Sequence, residues 1–80
     1  MTTEQALSWV ASVFEDPTGR ISRDTKKDDI PGWDSLGTLT LIAALDSEFG
    51  IQLAEKELYS MSVVEDILAV LRRNGTLQDE

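Results

Sequence analysis

Gly32-Trp33-Asp34-Ser35-Leu36-Gly37-Thr38-Leu39-Thr40-Leu41-Ile42-Ala43-Ala44-Leu45-Asp46-Ser47-Glu48-Phe49-Gly50 is the stretch on which the fold turns. Asp is a residue type that caps helices by accepting from the first backbone N–H groups, and Gly supplies a left-handed stop. The spacing therefore predicts a helix from the Asp34 cap to about Phe49. Thr38, Leu41, Ile42, Leu45 and Phe49 recur at i, i+3, i+4, i+7 and i+11, as a core-facing side requires. Leu36, Leu39, Thr40 and Ala43 form a second stripe nearly opposite. Either the helix is central and buries both stripes, or it packs on one side and leaves the second in water as a recognition surface. Solvent exposure of Leu36 and Leu39 separates the two.

Toward the amino terminus, Leu7, Val10, Ala11 and Phe14 recur at helical spacing and Thr2 with Gln5 fits a capping box. A helix is expected from Thr3 to about Glu15, stopped by Pro17 and Gly19. From Asp16 to Trp33 the chain is rich in turn and charged residues, with Ile21 and Ile30 as isolated apolar anchors, and reads as a long ordered loop. Beyond Gly50, Ile51 and Leu53 make a short connection, and Glu55 to Tyr59 makes one brief helical turn carrying Leu58. Ser62 with Glu65 reads as a second capping box, ahead of Val64, Ile67, Leu68 and Leu71 at i, i+3, i+4 and i+7; Arg72 to Gly75 close that helix. The expected fold is all-α: a small four-helix bundle of three longer helices and one short helix, with a long loop between helices 1 and 2.

At 80 residues the chain is expected to be a single domain over 1–80, with 76–80 a frayed tail. No apolar run is long enough to span a bilayer, and the start lacks the pattern of a secretory signal, so a cytoplasmic, monomeric protein is expected. Fifteen acidic residues against seven basic ones give a net charge of −8, a field that repels nucleic acid and anionic membranes and favours partners with basic surfaces. From Asp34 to Leu71 there are seven acidic side chains and one Lys, Lys56.

Ser35 is the chemically distinctive residue. A nucleophilic serine needs an adjacent general base, and the chain has neither His nor Cys. It suits modification better than catalysis, and no catalytic residue is assigned. Asp28, Asp29 and Asp34 do not make a metal site by spacing: a calcium loop starting at Asp24 wants an oxygen ligand where Lys26 stands and a glycine where Asp29 stands. In the first turn of a helix, orphan N–H groups and the positive end of the dipole favour a phosphate on Ser35, against the like charge of Asp28, Asp29 and Asp34.

Asp34-Ser35-Leu36, after a long loop and before an amphipathic second helix, resembles the acyl carrier protein family. The acidic helix end Asp46-Ser47-Glu48-Phe49, the Ile51 to Leu53 connection and a closing helix near Ser62 extend the resemblance over nearly the whole chain. It implies that Ser35 is esterified by 4′-phosphopantetheine from coenzyme A, with Asp34 flanking it, so that a chain without Cys imports its thiol. It implies a non-catalytic carrier that holds an acyl group as a thioester. The implied partners are a phosphopantetheinyl transferase and acyl-loading, acyl-transferring or condensing enzymes with basic surfaces. Leu36, Leu39, Thr40, Ala43, Asp46 and Glu48 are the candidate partner contacts. Leu45, Phe49, Leu53, Leu58, Met61, Val64 and Leu68 are candidates to line an acyl pocket, against the plainer alternative of ordinary core packing.

Gly37 and Thr40 stand where carriers of primary fatty acid synthesis have acidic residues. Gly37 also weakens the helix by roughly 1 kcal/mol relative to Ala, unless packing or the close approach of another backbone compensates. Trp33 is read as covering the helix entrance or contacting the prosthetic arm, with burial against the loop the role preferred. These departures favour a carrier for a specialised lipid or secondary-metabolite pathway. The alternatives are a general fatty acid carrier, an aminoacyl or peptidyl carrier, and an unmodified helical interaction module.

Overall fold

The computed structural model describes residues 1–16 and 19–78. It contains four helices, α1 (Thr3–Val13), α2 (Ser35–Phe49), α3 (Glu55–Tyr59) and α4 (Val64–Arg73), with a single 3-10 turn at Lys27–Asp29 between α1 and α2. Among the described residues no strand forms, and an isolated antiparallel bridge joins Lys26 to Val63. The all-helical expectation holds.

Helices α1 and α2 start and stop for local reasons. The Thr2 hydroxyl accepts from the Gln5 N–H at 3.2 Å, and the Gln5 side chain accepts from the Thr2 N–H at 2.9 Å, a reciprocal cap. Helix α1 ends at Val13, slightly earlier than the spacing suggests, because Glu15 turns the chain in the left-handed region at φ 53°. Gly19 lies beyond that turn, and Pro17, the other expected stop, lies outside the described residues. Helix α2 ends at Gly50, which takes φ 66°, as its sequence predicts.

The start of α4 requires a correction. Ser62 and Glu65 do not form a capping box. The Asp66 carboxylate accepts instead from the backbone N–H groups of Ser62 at 2.8 Å and Val63 at 3.2 Å. Glu65 turns toward Arg72 at 3.0 Å, with Arg23 at 4.0 Å. The reason lies in the loop, whose carbonyls hold this segment from outside: Val64 N–H donates to Thr25 and Glu65 N–H to Arg23, each at 2.9 Å. The helix therefore begins one residue later than a Ser62 cap would start it.

One apolar core joins the elements. Ala6 and Val10 from α1 and Phe14 just after it meet Leu41 and Leu45 from α2, Leu58 from α3, and Val64, Ile67, Leu68 and Leu71 from α4. Ala6, not among the periodic positions first recognised, is fully buried, whereas Leu7 packs at the edge. Ile30 and Ile51 anchor the connections in this core. The carboxyl-terminal segment also departs from expectation. Thr76 to Gln78 are not frayed: the Met1 amino group donates to the Thr76 carbonyl at 2.8 Å, Gln78 N–H donates to the Met1 carbonyl at 2.9 Å, and Leu77 is buried. Burying Leu77 supplies the apolar gain that holds this short segment. Residues 79–80, the rest of the expected tail, lie outside the described residues.

Candidate functional site

Ser35 is the first residue of α2, and the residue before it explains why a helix begins there. Asp34 is extended (φ −118°, ψ −164°), and its carboxylate accepts from the Gly37 N–H at 2.8 Å. Its carbonyl accepts from the Thr38 N–H at 2.8 Å. The N–H groups of Ser35 and Leu36 have no partner among the described residues, so the positive end of the helix faces solvent at this point. Ser35 is exposed, and its hydroxyl makes no hydrogen bond among the described residues.

The platform beneath Ser35 is built on close backbone contact. A Cβ at Gly37 would overlap the Gly32 carbonyl oxygen and stand 3.3 Å from Phe14 Cδ1; one at Gly32 would overlap the Phe14 carbonyl oxygen. The loop is thus pressed between the end of α1 and the first turn of α2, an approach open only to glycine. The close approach that compensates Gly37 comes from this chain's own loop. Trp33 is buried and stacks on Phe14, with ring centres 5.1 Å apart at 15°. Of its readings, burial is the one observed, with the ring stacked on Phe14 at the end of α1. Its indole N–H is buried without a partner among the described residues.

The side of α2 away from the core is open. Leu36 is 74% and Leu39 52% exposed, so α2 is not a central helix burying both stripes. Ala43 and Asp46 are exposed, and with Ser35 and Leu39 they follow i, i+4, i+8 and i+11, the spacing of one helix face. The Thr40 hydroxyl donates back to the Leu36 carbonyl at 2.9 Å. Glu48 is exposed but accepts from the Trp9 indole N–H at 3.1 Å, and Trp9 meets Phe49 at 5.0 Å. Glu48 therefore also binds α1 to α2.

The residues expected to line an acyl pocket are packed into the core. Leu45, Leu58, Val64 and Leu68 are fully buried, while Phe49, Leu53 and Met61 pack against them part-exposed. Asp28 and Asp29 lie in the 3-10 turn, and no cluster of three or more metal-ligating side chains exists among the described residues. No helix among them is long and apolar enough to cross a membrane.

Sequence reasoning missed Lys27. Its Nζ lies 5.9 Å from the centre of the Trp33 ring and 5.6 Å from that of Tyr59, within cation–π range of both. No periodic or capping signal marks a lysine in a loop, so only the tertiary fold reveals it.

The geometry fits a serine-linked phosphodiester. An exposed hydroxyl without a hydrogen bond among the described residues stands at a helix start where two N–H groups are unused. Comparison with curated proteins gives no match, and neither does comparison with solved structures. The family model described as the phosphopantetheine attachment site matches residues 6–71, from within α1 to within α4. That span includes Ser35 and all of α2 and α3. The chain therefore belongs to the family of phosphopantetheine attachment-site domains, carriers that bind 4′-phosphopantetheine covalently.

Proposed function

We propose that Ser35 is the residue that receives 4′-phosphopantetheine, and that the chain serves as an acyl carrier protein in a specialised lipid or secondary-metabolite pathway. The observation that carries this reading is the Ser35 hydroxyl, exposed and unbonded at the first position of α2. When bound, the prosthetic group supplies the thiol on which an acyl group is held as a thioester. The chain's own residues do the rest. Asp34 fixes the helix start through Gly37, and the N–H groups of Ser35 and Leu36, without a partner among the described residues, would offset the negative charge of a phosphodiester on Ser35.

Leu36 and Leu39, with Thr40 and Ala43, form the face that partner enzymes contact, and Asp46 adds charge at its far end. Between Asp34 and Asp46 the helix carries no charged side chain, so the docking face is apolar and bracketed by two carboxylates. This neutrality supports a dedicated partner set over the general fatty acid one. A net charge of −8 steers phosphopantetheinyl transferase and acyl-handling enzymes with basic surfaces toward the chain, and the apolar face between the two carboxylates then takes the contact. The carrier domain works as a monomer in the cytoplasm, where coenzyme A is at hand. Leu45, Phe49, Leu53, Leu58, Met61, Val64 and Leu68 are the side chains that would have to part to admit an acyl chain. Met61 yields most easily, because an unbranched thioether adapts to irregular space.

Incubation with a broad-specificity phosphopantetheinyl transferase, Mg²⁺ and coenzyme A, followed by intact-protein mass spectrometry, tests the assignment. One phosphopantetheinyl adduct, abolished in Ser35→Ala, is expected. An adduct that persists in Ser35→Ala moves the site elsewhere.

A further inference from the structure

Two observations outside the attachment residue meet at Lys27. Its backbone N–H donates to the Ser62 carbonyl at 2.8 Å, which fixes the loop to the connection between α3 and α4. Its ammonium stands near two rings at once: Trp33, two residues before Ser35, and Tyr59, the last residue of α3. No aromatic pair joins Trp33 to Tyr59 directly among the described residues, whose ring pairs are Trp9 with Phe49 and Phe14 with Trp33.

The two ends of this clamp differ. Trp33 is the fixed end, buried and stacked on Phe14, with its backbone N–H donating to the Ile30 carbonyl at 3.0 Å. Tyr59 is the movable end. It is about half exposed, on a helix of five residues whose start has no side-chain cap. A helix that short does not hold itself. Its place depends on Leu58, fully buried in the core, and on what grips its last turn.

We propose that Lys27 is a positioning residue: its ammonium, held between Trp33 and Tyr59, sets α3 against the segment that presents Ser35. Helix α3 and the attachment site then shift together, and a partner that displaces α3 disturbs Trp33 and the chain leading into Ser35. The proposal rests on the reading of Ser35 as the attachment residue. Its mechanical part, the coupling of Tyr59 to Trp33, is measured without any modification.

The test uses the full chain labelled with ¹⁵N, whose two tryptophans give two indole N–H resonances. Tyr59→Leu should shift the Trp33 resonance while Lys27 is present and leave it in place in a Lys27→Met background; Lys27→Arg should preserve the coupling. Lys27→Met and Tyr59→Leu should each speed amide exchange across Glu55–Tyr59 by about tenfold. Lys27→Met should lower kcat/KM for transferase labelling about tenfold relative to Lys26→Met, which removes the same charge next door. A Trp33 resonance that ignores Tyr59→Leu, or that responds equally in both backgrounds, overturns the proposal, as do equal labelling rates for the two lysine variants. Failure of the unmutated chain to label would instead strike at Ser35 and leave the resonance experiment to decide the coupling.

Discussion

Gly37→Ala is the substitution whose sign separates the local argument from the tertiary one. In an isolated helix, replacing glycine by alanine is favourable by about 1 kcal/mol. Here the new methyl group would overlap the Gly32 carbonyl oxygen and stand 3.0 Å from its carbon, and Gly32 has no room to retreat because it is backed by the Phe14 backbone. Overpacking against a backbone that cannot move costs about 3 kcal/mol, the upper end of the usual range. The net expectation is a loss of about 2 kcal/mol. For a chain of this length that lowers the melting temperature by about 8–16 °C. Thermal and urea unfolding followed by far-ultraviolet circular dichroism measures it. A variant as stable as the parent, or more stable, would show that the backbone contact between the loop and α2 is wrong.

Three further outcomes follow from the same geometry. Asp34→Ala should cost about 1 kcal/mol in urea unfolding by removing the acceptor for Gly37 N–H, while Asp34→Asn should recover most of it. Asp66→Ala should destabilise by about 1 kcal/mol and Ser62→Ala by less than about 0.5 kcal/mol, a contrast that a Ser62 cap would reverse. Leu36→Ala, at a side chain 74% exposed, should leave the unfolding free energy within about 0.5 kcal/mol and raise KM for the transferase about fivefold to tenfold; an unchanged KM would remove Leu36 from the docking face.

Much of α2 was legible in the sequence because its signals are local: an Asp cap, a Gly stop and a core stripe at helical spacing. The Thr2–Gln5 box was legible for the same reason. Two acidic residues, Glu65 and Asp66, lie close enough to cap α4, and choosing between them needed the loop carbonyls of Arg23 and Thr25 that grip Glu65 and Val64 from outside. The burial of Leu77 depends on the position of Met1, far away in the chain. Gly37 offered a half-legible signal: glycine inside a helix called for compensation by packing or by a close backbone, without saying which, or that Gly32 supplies it. Ser35 stood out through the absence of His and Cys and through its place behind Asp34. The exposure of Leu36 and Leu39 could not be read from the two stripes alone, because periodicity defines faces without saying which neighbours cover them.

The central claim is that a single hydroxyl at the head of α2 carries the prosthetic group. Its most direct measurement is the mass of the intact protein after reaction with coenzyme A and a phosphopantetheinyl transferase, with fragmentation to locate the adduct. One phosphopantetheinyl group on Ser35, and none on the Ser35→Ala chain, is the predicted result. An adduct on any other residue, or an unmodified chain after a transferase that labels a control carrier to completion, would contradict it.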